Sequence, residues 1–157
     1  MRASPIAGMT HRSTIGTCGV AEQTSGRQDV RDRRESRGPA VVALGGGHGL
    51  SIALGAARSY ADSITAIVSI ADDGGSSGRL RAELGVPPPG DLRKCLVALA
   101  AAGSPWPAVL ERRYAEGDLQ GHALGNLLLV GLMEALGDVD AALEEAGRMV
   151  GAVGRVL

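Results

Sequence analysis

Phenylalanine is absent from this chain, and only one tryptophan and two tyrosines occur in its 157 residues. A core built around aromatic rings is therefore excluded. Small aliphatic side chains over glycine-rich turns must pack helix on sheet instead. Net charge is nearly absent too, and the formal value of −1 gives no general electrostatic case for binding nucleic acid or an anionic membrane. Cys18 and Cys95 lie in unlike settings and offer neither a disulfide framework nor a metal spacing, which suits a reducing cytoplasm. Lysine is reduced to Lys94 beside fifteen arginines, a bias that reads as a G+C-rich genome rather than as arginine chemistry. No apolar run is long and unbroken enough to span a bilayer.

Residues 1–38 differ from all that follows. They are rich in Ser, Thr, Gly and Arg, contain the run Arg31-Asp32-Arg33-Arg34-Glu35-Ser36-Arg37, and show no sustained hydrophobic period. Such a segment cannot bury enough apolar surface to offset its ordering entropy. It has no apolar h-region of a secretory signal. It is expected to be a disordered extension, with residues 39–157 forming the folded part.

The folded part opens on Val41–Ser51, V-V-A-L-G-G-G-H-G-L-S. An aliphatic run entering consecutive glycines and then an apolar-periodic segment predicts strand, tight turn and helix start. Gly45, Gly46, Gly47, His48, Gly49, Leu50 and Ser51 form a candidate cradle, since helix N-terminal N–H groups suit an anion such as phosphate. The same turn also occurs without any ligand. A helix over Leu50–Tyr60 with Leu50, Ala53, Leu54 and Ala57 on one face comes next, then a strand over Ile64–Ile70. Strand, helix and strand at this spacing predict a βαβ unit with parallel strands. Asp72, Asp73, Gly74, Gly75, Ser76, Ser77 and Arg79 follow that strand in one loop. The carboxylates suit ribose hydroxyls or a metal ion, the serines donate, and Arg79 can fork onto phosphate. A solvated turn that caps a short helix is the plainer reading.

Beyond Val86-Pro87-Pro88-Pro89-Gly90, Asp91 is placed to cap a helix with Leu92, Cys95, Leu96 and Leu99 inward. Arg93 and Lys94 lie off that face, either solvated or meeting an anion in the crevice. Pro105, Trp106 and Pro107 open a further helix-like stretch, expected to run to about Glu116. Leu127–Met133 is apolar nearly all round and suits a central buried helix, although so short a run also passes for a strand. His122 and Asn126 share a face at its start, where His122 is a cap, a satisfied core residue or a functional group. Asp138 or Asp140 begins the last helix. Only two strands are evident, too few for a parallel sheet buried on both faces, so an incomplete domain is expected.

The segments G-G-G-H-G-L-S, A-D-D-G-G-S-S-G-R-L-R, P-P-P-G-D-L-R and G-H-A-L-G-N, in this order, resemble the YvcK family of gluconeogenesis factors in the CofD-like superfamily. The resemblance covers Ala40–Leu157 and points to the N-terminal part of a longer protein of actinobacterial type. It implies a cytoplasmic, Rossmann-like α/β fold, a parallel sheet with helices on both faces. The implied ligand is a nucleotide, UDP-N-acetylglucosamine or NAD(P), with magnesium allowed and homo-oligomerisation left open. A role in cell shape and wall synthesis on gluconeogenic carbon sources comes with it. Gly45–Ser51, Asp72–Arg79, Asp91, Arg93, His122 and Asn126 would line the site. His48 stands where the family commonly has Thr, and Lys94 where Asn is frequent. The same superfamily implies an alternative, a phospholactate transferase of deazaflavin biosynthesis.

Overall fold

The computed structural model describes residues 38–71 and 74–157. The expected extension, Gly38 apart, lies outside the described residues, as do Asp72 and Asp73. Three parallel strands, β1 (Ala40–Gly45), β2 (Ser63–Val68) and β3 (Arg155–Val156), form one sheet in the order β1-β2-β3. The register sets Val41 beside Ile64, Ala43 beside Ala66, and Ala66 beside Val156. Because side chains alternate along a strand, these residues share one face.

Helices cover that face. α1 (Gly47–Ala57) joins β1 to β2 and contributes Leu50, Leu54 and Ala57 to the core. Five helices follow before β3: α2 (Gly75–Leu84), α3 (Pro89–Leu99), α4 (Trp106–Glu111), α5 (Leu124–Leu136) and α6 (Val139–Val150). Leu92, Cys95, Leu96 and Leu99 of α3, Leu129 and Met133 of α5, and Ala142, Leu143 and Ala146 of α6 complete the main cluster. The parallel sheet with helices agrees with the sequence reading. On the other face Val42, Leu44 and Ile67 are 58%, 72% and 41% exposed, which fits the expected incomplete domain.

Several boundaries differ from expectation, each for a local reason. α1 begins at Gly47, and its buried positions are Gly47, Leu50, Leu54 and Ala57, so Ala53 falls on the exposed rim rather than in the core. The loop expected after β2 is helical from Gly75, and Gly85 ends that helix in the left-handed region at φ 67°. α4 stops at Glu111, short of Glu116, because the next residues pair back on themselves. Leu124 N–H donates to Arg112 O at 2.8 Å and Tyr114 N–H to His122 O at 3.1 Å, closing a hairpin. The 127–133 run is helical, which resolves the strand alternative. It buries Leu129, Val130 and Met133 but exposes Gly131, so it flanks the core instead of crossing its centre. Asp138, not Asp140, caps α6: its Oδ1 accepts from Ala141 N–H at 2.6 Å.

Candidate functional site

Both βα junctions leave the same end of the sheet. Gly45 ends β1 opposite Val68 at the end of β2, and Ser69 N–H donates to Gly45 O at 2.7 Å. From there the chain turns into α1 through Gly47 at φ 54°, and into α2 through Gly75 at φ 51°. These values favour glycine, which pays no Cβ penalty in the left-handed region. The residues preceding α1, α2, α3 and α5 are Gly46, Gly74, Pro88 and Ala123, and none makes a side-chain cap hydrogen bond. α6 is the contrast, with Asp138 as its cap.

The start of α2 meets the start of α5 through three buried polar residues. Asn126 Nδ2 donates to Ser76 Oγ at 3.0 Å, and Ser76 Oγ lies 3.0 Å from His122 Nδ1. Ser76, His122 and Asn126 are 5%, 6% and 1% exposed. Burial lowers the His122 pKa below its usual value, the Arg79 guanidinium lowers it further, and Glu83 opposes both. A neutral His122 with its proton on Nε2 lets the Ser76 hydroxyl donate to Nδ1 while accepting from Asn126. Asn126 Oδ1 is buried with no partner among the described residues. The sequence placed His122 and Asn126 on one face and Ser76 in the loop after β2, but gave no sign that Ser76, 46 residues before His122, is their shared partner. Arg79 is exposed and donates from Nη2 to Gln120 O at 2.8 Å, holding the hairpin against α2.

The start of α1 meets the start of α3 through Asp91. Asp91 does not cap α3, as the sequence suggested, but is its third residue, because Pro89 begins the helix with its N–H already missing. Its carboxylate lies against the glycine turn, so that a Cβ on Gly47 would stand 3.0 Å from Oδ1. Lys94 Nζ donates to the same Oδ1 at 3.1 Å. Arg93 corrects a second expectation, since it is neither solvated nor turned to the crevice. It is 2% exposed, pairs with Glu111 Oε1 at 2.8 Å, and braces α3 against α4.

Other predicted residues are placed less favourably. The Leu50 side chain belongs to the core, so only its backbone can join a cradle. Ser51 Oγ turns back to donate to His48 O at 2.8 Å, while His48 and Gly49 are exposed. Ser77 is buried beside Ser76. Among the described residues no three His, Cys, Asp or Glu side chains gather as a metal-holding group. A concavity of about 460 Å³ along α6 and β3, lined by Asp140, Glu144, Arg148 and Arg155, includes none of the predicted site residues. The chemistry that converges at the strand ends is the stronger candidate.

Comparison with known proteins bears on this site. The model of the family described as 2-phospho-L-lactate transferase CofD matches residues 41–157. The chain is 58% identical over 123 residues to a Mycobacterium leprae protein grouped with the gluconeogenesis factors, covering 76% of this chain and 34% of that protein. It is 44% identical over 120 residues to the gluconeogenesis factor of Bacillus subtilis, covering 76% and 38%. A crystal structure of a Bacillus halodurans protein is similar with a TM-score of 0.71 and 45% identity, over 76% of this chain and 39% of that one. The chain thus spans about a third of the length of the curated relatives it matches.

Proposed function

The chain belongs to the CofD family and is similar to the gluconeogenesis factors within it, and from that premise we propose that it binds a nucleotide sugar as a regulatory protein without turnover. UDP-N-acetylglucosamine is the ligand we assign, and control of cell shape and wall synthesis on gluconeogenic carbon sources is the role. One observation carries the reading: two helix starts follow adjacent parallel strands at one end of the sheet, and the starts of α3 and α5 meet them there through Asp91 and through Ser76, His122 and Asn126. Such a rim offers backbone donors and positive dipole ends to a diphosphate, and Arg79 can add a bidentate contact. Ser76 and Ser77 supply hydroxyls at the same helix start.

Calorimetry of UDP-N-acetylglucosamine with the chain tests the proposal, followed by chromatography of the recovered ligand. Binding is expected, with the ligand returned intact. Arg79→Ala is expected to weaken binding about tenfold or more, the worth of one charge-assisted contact. Equal affinity in that variant would remove Arg79 from the site.

The description of the family model itself favours a second reading, transfer of a phospholactyl group from a nucleotide-activated donor to a deazaflavin. Donors aimed at the phosphates would stabilise the charge that develops on the leaving group. Product formed from donor, deazaflavin and magnesium would decide for that reading.

A further inference from the structure

We infer that Arg79 of α2 and Arg113 of the hairpin form a two-armed clamp for a phosphoryl anion, built around Gly121. This deepens the nucleotide reading above, from which it takes the class of anion, and it brings Arg113 into the site. The placement of the two guanidinium groups carries it.

Both side chains converge on consecutive peptide carbonyls. Arg79 Nη2 donates to Gln120 O at 2.8 Å, and Arg113 Nη1 donates to Gly121 O at 3.0 Å. Neighbouring residues have Cα atoms about 3.8 Å apart, so these bonds hold the two charges within roughly 10 Å of each other. Gly121 permits the approach: its φ is 80°, and a Cβ there would stand 3.1 Å from Arg79 Nη2. The hairpin fixes the second arm. Arg113 bridges Ala123 across antiparallel backbone, and Gly121 N–H donates to Tyr114 O at 2.8 Å.

Neither charge is neutralised. Both arginines are exposed, and among the described residues neither pairs with a carboxylate. Glu83 stands one turn along α2 from Arg79, and Glu116 and Asp118 lie in the hairpin turn, yet none of the three makes an ion pair with either arm. The other arginines show the contrast: Arg148 meets Glu145 Oε2 at 2.6 Å, and Arg93 is buried against Glu111. A carbonyl accepts as well from a neutral amide, so the two carbonyl bonds by themselves do not call for arginine. What arginine adds is a charge that the carbonyl leaves uncancelled and a planar fork with further N–H groups to give. Two like charges held this close repel, and an anion between them turns that repulsion into attraction. A phosphoryl group, with several acceptor oxygens, takes a fork from each side. The Arg79 charge also reaches His122, whose pKa it lowers, so the clamp adjoins the buried Ser76–His122–Asn126 cluster.

The test is calorimetry of the wild-type chain, Arg113→Gln and Arg112→Gln with inorganic pyrophosphate and with UDP-N-acetylglucosamine. Arg112, the exposed neighbour of equal charge, is the control. Arg113→Gln is expected to weaken both ligands about tenfold or more, the worth of one charge-assisted contact. Arg112→Gln should weaken them less than about twofold, because a solvated charge outside the contact is screened. A second measurement needs no variant to fold. On the wild-type chain, pyrophosphate should protect Arg79 and Arg113, but not Arg112, from an arginine-specific dicarbonyl reagent, as mapped by peptide mass. The clamp is overturned if all three arginines are protected alike or none is, or if the two variants lose affinity equally. Binding of pyrophosphate but not of the nucleotide sugar, with the same protection, supports the clamp and removes the nucleotide reading. Binding of the nucleotide sugar that Arg113→Gln leaves unchanged keeps that reading and removes the clamp.

Discussion

Cys95 has no exposed surface, and its thiol is pushed up to about 11, by burial first and by the Asp91 carboxylate second, with Lys94 opposing. A thiol in that state is a small core hydrophobe, as its helical spacing suggested, and not a nucleophile. In a Cys18→Ser background, a thiol-reactive disulfide reagent at pH 8 is expected to label the chain only after denaturant is added. Rapid labelling of the native chain would contradict the packing. His122 makes the complementary case. Its folded pKa lies below the unfolded value of about 6.5, so the unfolded chain binds more protons in that range. Stability from this group is therefore fully present above about pH 6.5 and is lost as pH falls toward the folded pKa. Urea unfolding between pH 5 and pH 7.5 should show this slope, and His122→Gln should flatten it. At this scale the sequence showed which residues carry chemistry but not where they point. Arg93 shares the charge and neighbourhood of Lys94, yet Arg93 is buried against Glu111 while Lys94 reaches Asp91.

Among the elements, α5 and α6 offer the sharpest measurements. The Asp138 cap fixes the start of α6, and Asp138→Ala is expected to cost about 1 kcal/mol of stability. Two glycines of α5 should respond in opposite directions. A Cβ on Gly125 would lie 2.8 Å from both Arg93 Cδ and Leu110 O, so Gly125→Ala is expected to destabilise by about 1–3 kcal/mol. Gly131 is exposed with nothing within 4 Å of its Cβ position, so Gly131→Ala should stabilise by up to about 1 kcal/mol. Denaturant melts of the two variants settle both signs. Nothing in the α5 sequence distinguishes these glycines. The difference arises because α3 and α4 press on one side of α5 and solvent lies on the other. The same holds for α4, whose early end follows from hairpin pairing between residues 112 and 124, a contact that no local propensity announces.

Across the whole molecule, burial divides the leucines into two classes that a sequence cannot separate. Leu54 has no exposed surface, whereas Leu44 is 72% exposed on the open face of the sheet. Leu54→Ala is expected to cost about 2–5 kcal/mol, and Leu44→Ala well under 1 kcal/mol, in parallel thermal or urea melts. Comparable losses would mean that the open face is covered in solution. The sequence by itself determined the βαβ unit and the helical state of most segments, because these depend on periodicity and backbone freedom over a few neighbouring residues. The tertiary structure alone decided that Ser76 meets His122 and Asn126, and that Asp91 fills the space left by Gly46 and Gly47. It also decided that Arg93 turns inward. These pairings join residues far apart in the chain, and their geometry is set by how the helices pack on the sheet, which no local pattern encodes.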